Sequence, residues 1–498
     1  MWEASLEGFL HVIQPNLLAL MLIGISLGTI VAILPGIGST ALIAMSLPFA
    51  MTMNPYAAIA FLVSMDCISG TGSTITSVLT GIPGGSSSLA TVVDGFPMTK
   101  RGEGARAIGA GLTVSALGGI FGAIVLTFSI PILRPLVLAL GSPEYFMLAL
   151  WGISMVGVLS GKSPFKGLAA GCFGVLIMMI GLDPKSGVPR YVFGEPYLWD
   201  GIKLVLVALG IYGIPEVISM AVGGTSIARK TTYGSGLMEG IKDSFRHWFL
   251  MIRSSFIGAW IGFIPGIGGP VAAWIAYGHA AQTSKNGKFG QGDIRGVIAP
   301  ESANNSVEGG AYITALAFGI PGSTATALIL IVFLAVGLQP GPTMLTTQIN
   351  YVFAVIWTLV IANVIAASLC LALAKPISKM AFYPFHYVVP IIVVLCFVGA
   401  FTANNAFEDL ILLLIFSVIG YFMRQLGWPR PPILLGIVLG PIMEKYLWLS
   451  SARYGFDWLV RPGVLLLFAL IIVTVILVPA WQKRIDAKQE ALLRRTEE

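Results

Sequence analysis

Asp66 is the first residue that could do chemistry, because it stands where an acid is costly. It closes Ala60-Phe61-Leu62-Val63-Ser64-Met65-Asp66, deep in apolar sequence, and an ionisable group at that depth is a functional candidate by default. Two short motifs bracket it, Pro35-Gly36-Ile37-Gly38 and Gly81-Ile82-Pro83-Gly84. Both recur in order, as Pro265-Gly266-Ile267-Gly268 and Gly319-Ile320-Pro321-Gly322, displaced by 230 and 238 residues. At the larger offset Asp66 corresponds to Asn304, an amide oxygen donor beside Asn305. Free carbonyls, hydroxyls and a carboxylate at a helix break are what a coupling cation takes. Asp66, Asn304 and Asn305 are therefore the expected cation site, with Thr76 and its counterpart Thr314 supplying hydroxyls. The alternative is an Asp66 near the end of its span, hydrogen-bonded or wet.

The breaks suit anions. Where a helix restarts after Pro-Gly, its free N–H groups carry about half a positive charge. The expected substrate-binding positions are Gly36, Gly38, Ser39 and Thr40 at the first break and Pro83, Gly84, Ser86 and Ser87 at the second. Their counterparts are Gly266 and Gly268, then Pro321, Gly322, Ser323 and Thr324. The same hydroxyls serve equally well as helix caps and close-packing positions. Glu301 and Glu308 compete as titratable groups, and Glu301 reads better as a helix cap at the membrane edge.

The elements that must hold these residues are membrane helices. The chain is 56% hydrophobic and 10% charged, against roughly 25% charged in an average soluble domain. Its charges cluster between apolar runs of about 16 to 24 residues, the length that crosses a bilayer core. The net charge of +6 falls in short loops and at the C-terminal end, as the positive-inside rule expects, which argues against nucleic acid. Met1 to Gln14 lacks the basic start of a cleavable signal. Cys67, Cys172, Cys370 and Cys396 have no metal spacing and read as packing residues. The histidines His11, His247, His279 and His386 are scattered, with no HExxH or GxSxG. An intramembrane enzyme is thus disfavoured, and neither a cofactor nor a metal beyond a sodium ion is expected.

Spans are expected at about Ala107 to Ile130, Tyr145 to Ser160, Pro164 to Leu182 and Gly201 to Val222, and later at Tyr351 to Ala374, Val388 to Phe401, Phe407 to Met423, Ile433 to Leu449 and Val464 to Pro479. Asp94 to Gly102 reads as a polar cytoplasmic turn. Between the two breaks the first half is uncharged from Thr52 to Ala58, whereas the second carries Lys285, Lys288 and Arg295. That reversal inverts one half against the other in the membrane. The segment around Pro265 enters and leaves on the basic side, and about 30 residues are too few for two crossings. A re-entrant hairpin fits it, and its mirror image fits Pro35; two unequal tilted spans per segment are the alternative. The expected architecture is all-α, with about 11 full spans plus two re-entrant helical hairpins in inverted-topology repeats. Residues 1–222 form the first repeat, 223–253 a cytoplasmic linker, 254–480 the second repeat and 481–498 a cytoplasmic tail, with the N-terminus outside.

Six runs in order resemble one family: Pro35-Gly36-Ile37-Gly38, Gly81-Ile82-Pro83-Gly84, Asp94-Gly95-Phe96-Pro97-Met98, Pro300-Glu301-Ser302-Ala303-Asn304-Asn305, Gly319-Ile320-Pro321-Gly322-Ser323 and Gly337-Leu338-Gln339-Pro340-Gly341-Pro342. The chain is similar along nearly its whole length to the large membrane subunit of tripartite tricarboxylate transporters, the TctA family. The resemblance implies secondary uptake of a carboxylate such as citrate in the bacterial inner membrane, driven by a sodium (Na+) or proton (H+) gradient. It also implies two partners, a small membrane subunit and a periplasmic solute-binding protein. A non-transporting structural subunit is the remaining alternative, and it leaves the mirrored, hydroxyl-rich breaks unexplained.

Overall fold

Helices dominate the computed structural model, which describes residues 1–33, 39–159, 163–222, 233–265, 268–380 and 389–476. The tips of both expected hairpins, Pro35 to Gly38 and Gly266 to Ile267, lie outside the described residues, as do residues 223–232 of the linker, His386 and the tail. In chain order the helices begin α1 (Trp2–Val12), α2 (Pro15–Ile33), α3 (Ser39–Ala50), α4 (Pro55–Thr80), α5 (Leu89–Lys100), α6 (Gly104–Ala139), α7 (Ser142–Leu159) and α8 (Pro164–Met178). Two strands, β1 (Gly181–Leu182) and β2 (Pro189–Arg190), pair antiparallel. Then come α9 (Leu204–Ala208), a π turn, α10 (Ile214–Val222), α11 (Leu237–Arg246), α12 (Trp248–Gly262), α13 (Gly268–Thr283), α14 (Arg295–Phe318) and α15 (Thr324–Ala335). The chain continues through α16 (Ile349–Ala372), α17 (Ala374–Met380), α18 (Val389–Phe401), α19 (Phe407–Gln425), α20 (Pro431–Tyr454) and α21 (Pro462–Ile476). Among the described residues, five helices are long and apolar enough to cross a membrane: α2, α4, α6, α16 and α20.

The chain forms two compact units. One comprises Met1–Val137 and Val205–Ile419, the other Leu138–Leu204 and Gly420–Glu498. Each unit draws on both halves of the sequence, so the units cut across the duplication instead of following it. In the second unit α8 and α20 meet at glycines: Gly174 lies on the Ile433 carbonyl and Gly436 on that of Gly171. Arg190 grips Glu444 with two nitrogens at 2.6 and 3.2 Å, fastening the small β-hairpin to α20.

The first unit holds every break, and its packing repeats. Gly72 of α4 lies against Thr29 and Ala32 of α2, and 238 residues on Gly310 of α14 lies against Ala259 and Gly262 of α12. Gly28 faces Met65 and Ile68, and Gly258 faces their counterparts Ala303 and Ser306. Small residues are what allow helix backbones this close. These contacts run in register, so α2 is parallel to α4 and α12 is parallel to α14. The intervening helices, α3 and α13, therefore carry the chain back before α4 and α14 begin.

Two stretches differ from expectation. Asp94 to Lys100 is not a turn but the last part of α5, because Asp94 faces inward and is fully buried. Its carboxylate accepts from the backbone N–H of Gly292 at 2.8 Å and of Asp293 at 2.9 Å, and from the Tyr277 hydroxyl at 2.9 Å. Arg101 adds bonds to the carbonyls of Gln291 and Gly292, which ties the end of α5 to the connection between α13 and α14. In that connection burial works to raise the Asp293 carboxyl. Hydrogen bonds from the Arg295 guanidinium and from the backbone N–H groups of Arg295 and Lys288 outweigh it and hold the group below the usual carboxylate range. The second difference is α6, which is 36 residues long and runs well past Ile130 with Pro131 and Pro135 inside it.

Candidate functional site at the crossing of two broken helices

Both GIPG motifs end a helix in the same way. Gly81 closes α4 and Gly319 closes α14, each at φ 71°, a left-handed conformation that glycine adopts without a Cβ penalty. The proline two residues later cannot continue the helix. Gly84 and Gly322 then fold back on equivalent positions: a methyl on Gly84 would stand 2.9 Å from Ser73 Cα, and one on Gly322 2.5 Å from Ala311 Cα.

The two broken helices cross each other. Tyr312 of α14 donates to Asp66 of α4 at 3.3 Å, Asn305 to Thr71 at 2.8 Å, and Thr74 of α4 donates to Glu301 at 2.7 Å. As α4 ascends from 66 to 74, its partners descend from 312 to 301, so the helices run antiparallel. The contact is a polar seam in an otherwise apolar interior, with 94% of the α4 apolar window buried. At its centre sits Gly70, where a methyl would stand 2.8 Å from Asn304 Nδ2 and 2.9 Å from Asn305 Oδ1. Both amide atoms are buried without a hydrogen-bond partner among the described residues. Asn305 also donates to Asn363 of α16 at 2.9 Å, which fixes its amide plane. Glu308, one turn before Tyr312, has Oε2 buried with no hydrogen-bond partner among the described residues.

A cavity of about 100 Å³ opens beside the seam. Gly28, Val31 and Ala32 of α2, Thr40 of α3, Ser69 of α4, and Gly84, Ser86 and Ser87 are among its lining residues. The start of α13 reaches the same place: a methyl on Gly269 would lie 3.1 Å from Ser87 Cβ and 2.7 Å from Asn304 Oδ1. Three helix starts thus converge there, those of α3, of α13 and of the 3-10 turn Ser86–Ser88 that leads into α5. Hydroxyls already occupy part of this turn. Gly84 N–H donates to Ser77 Oγ and Gly85 N–H to Ser88 Oγ, both at 3.3 Å. Ser86 and Ser87 keep side chains at the cavity with no hydrogen bond to a described residue.

Some of the expected residues meet, and others do not. Thr40, Gly84, Ser86 and Ser87 line the cavity, and Pro83 precedes them in the break. Gly268 opens α13 and Ser39 opens α3, while Gly36, Gly38 and Gly266 lie outside the described residues. The second-copy residues Pro321, Gly322, Ser323 and Thr324 stand apart from that lining. Ser323 is spent as the N-cap of α15, accepting from Thr326 N–H at 3.1 Å, while its own N–H donates to Thr326 Oγ1 at 2.8 Å. Asp66, Asn304 and Asn305 share the seam. Thr76 lies ten residues past Asp66 in α4 and Thr314 ten past Asn304 in α14, about 15 Å at 1.5 Å per residue, but the antiparallel crossing sets Thr314 two residues past Tyr312, whose hydroxyl reaches Asp66.

Glu301 is not a cap. It lies inside α14, 1% exposed, and accepts from Thr74, from Thr91 at 2.5 Å and from Ser115 at 3.2 Å. Those partners come from α4, α5 and α6, between 186 and 227 residues away, which no local pattern signals.

A family model described as the tripartite tricarboxylate transporter TctA family matches residues 18–435. An uncharacterised 52.8 kDa protein from the ttuC′ 3′ region of TAR-I in Agrobacterium vitis is 31% identical over 451 residues, 88% of this chain and 88% of its own length. An uncharacterised protein from the ttuC′ 3′ region of TAR-II in the same organism is 35% identical over 191 residues, 38% of this chain and 79% of its own. No solved structure matches the chain. The family match runs through both breaks and the seam between them, and the chain belongs to the tripartite tricarboxylate transporter TctA family.

Proposed function

We propose that this chain is the translocating membrane subunit of a binding-protein-dependent secondary transporter, not an enzyme, that imports a carboxylate using a sodium or proton gradient. The observation that carries this reading is the convergence on one cavity, beside a buried acid, of three helix starts and of serine hydroxyls unpaired among the described residues. Thr40, Ser69, Ser86 and Ser87 offer hydroxyls to a carboxylate's oxygens, and the helix starts add a favourable field. Asp66, with Asn304 and Glu308, offers the coupling cation its oxygen atoms. Substrate and cation then lie close together, because Gly269 packs against both Ser87 and Asn304 of the seam.

A site for a drug-sized ligand spans about 300–1,000 Å³. At about 100 Å³, this cavity takes one carboxyl group and leaves a tricarboxylate partly outside. Admitting the rest requires the break segment to move, which suits alternating access. Parallel helices within each half and antiparallel α4 and α14 across them support inverted repeats with mirrored hairpins, spanning residues 1–222 and 254–480. Basic loops support a cytoplasmic C-terminus and a periplasmic N-terminus in a bacterial inner membrane. A small membrane subunit and a periplasmic solute-binding protein complete the proposed assembly.

A cysteine replacing Ser87 tests the site. It should react with a water-soluble maleimide, and a carboxylate substrate at ten times its Kd should slow the reaction roughly tenfold. Labelling that no carboxylate slows would place the substrate elsewhere.

A further inference from the structure

Glu301 has a cage unlike that of Asp94, which is also buried. Asp94 accepts from two backbone N–H groups, which can only donate, beside the Tyr277 hydroxyl. Every side-chain partner of Glu301 is a hydroxyl, from Thr74, Thr91 and Ser115, and a hydroxyl accepts as readily as it donates. The cage therefore satisfies a carboxylate and a carboxylic acid alike. No ion pair involving Glu301 occurs among the described residues, and a buried carboxyl without a counter-charge sheds its charge by taking a proton.

The cage is also wired to the cavity. Ser86 and Ser87 line the cavity, and Thr91, which holds Glu301 Oε1 at 2.5 Å, stands one turn further along the same piece of chain. A movement of this segment that admits substrate must pull on that hydrogen bond.

We propose that Glu301 is a proton-binding site of the transport cycle, a carboxylic acid while the cage is closed and a carboxylate once the movement of Thr91 lets water reach it. On opening, the carboxyl O–H bond breaks and the proton passes to water; on closing, a proton from water re-forms it. The inference rests on the transport reading and deepens it by naming the proton as a coupled ion. The titratable groups on the helices packed around Glu301 are Asp66 and Cys67 on α4, Asp94 and Lys100 on α5, and Arg106 on α6. Arg253 on α12, Tyr277 and His279 on α13, and Arg295, Glu308 and Tyr312 on α14 join them, and Tyr56 on α4 and Arg134 on α6, each 18 or 19 residues from the Glu301 partner on its helix, complete the set. None of them hydrogen-bonds Glu301. Arg106 is paired to Asp243 and Glu103, and Arg295 to Asp293.

Infrared difference spectroscopy of the purified full-length chain, titrated with alkali, reads the site directly. The wild type should lose a protonated-carboxyl C=O band that Glu301→Gln lacks from the outset. An identical band in both proteins overturns the proposal. Thr91→Val keeps the carboxyl and should retain the band while moving the pH at which it disappears; an unmoved band overturns the link to the cavity segment. In vesicles holding the complete transporter, Glu301→Gln should cut accumulation driven by a pH gradient at least tenfold, and unchanged accumulation overturns proton coupling. A wild-type complex that moves no carboxylate under any gradient counts against the transport reading, whereas the spectra still report on the proton.

Discussion

Replacing Asp66 by asparagine is expected to weaken gradient-driven uptake strongly at the cation concentration that half-saturates the wild type, while leaving the chain folded in the membrane. Asparagine keeps an oxygen where Tyr312 donates at 3.3 Å, and it removes a charge that burial makes expensive, so the fold has little to lose. A cation has much to lose. Hydrogen bonds and contacts to charged groups are worth about 1.5–3 kcal/mol, and each 1.4 kcal/mol is roughly tenfold in affinity. The cation concentration for half-maximal uptake should therefore rise by about ten- to a hundredfold. Asn304→Ala should shift it in the same direction, since Asn304 occupies the corresponding position and its amide lies at Gly70 and Gly269. Unchanged ion dependence in both variants would remove the seam from the cation site.

A bulky residue at Gly309 should cost the protein its fold. Gly309 of α14 rests on the backbone of Gly122 in α6, so closely that an added Cβ would overlap the Gly122 carbonyl and Cα. One turn before it, Ser306 carries its carbonyl against Gly122, and a further turn back Ser302 does so against Gly118. The overlap is with backbone, so no side-chain rotamer relieves it and the two helices must part. Overpacking costs about 1–3 kcal/mol even where side chains can shift, and here the same displacement would strip Ser115 from Glu301. Gly309→Leu is expected to leave little monodisperse protein by size-exclusion chromatography and to lower the unfolding temperature of what remains. A variant with wild-type yield and unfolding temperature would contradict the close contact.

Much of this architecture was readable from residue types at short range. Asn54 before Pro55 announces the start of α4, and its side chain does accept from the Ala57 N–H at 2.9 Å. Gly81 and Gly319 announce where α4 and α14 end, because few other residues take that backbone conformation at low cost. The duplicated spacing put Asp66 and Asn304 in one pair, and both lie in the seam. Long-range contacts were another matter. Glu301 resembled a cap because an acid near a helix start usually is one, whereas here three hydroxyls from distant helices hold it inside α14. Thr76 and Thr314 matched each other in the repeat, yet each lies about 15 Å along its own helix from Asp66 or Asn304, and only the antiparallel crossing sets Thr314 two residues past the Tyr312 that reaches Asp66. Asp94 looked like part of a turn, since its backbone N–H partners, Gly292 and Asp293, leave no side-chain signature. Ser323 and Ser87 carry similar sequence contexts, and only the surrounding packing makes one a cap and the other a cavity wall.

The measurement that tests the central claim most directly is uptake of a radiolabelled carboxylate panel, citrate included, by vesicles holding this chain with its proposed small subunit and solute-binding protein. Sodium and pH gradients are imposed separately. The account predicts accumulation of at least one carboxylate, dependent on a gradient and on the binding protein, and strongly reduced by Asp66→Asn at the wild type's half-saturating cation concentration. An intact complex that accumulates no carboxylate under either gradient would contradict it.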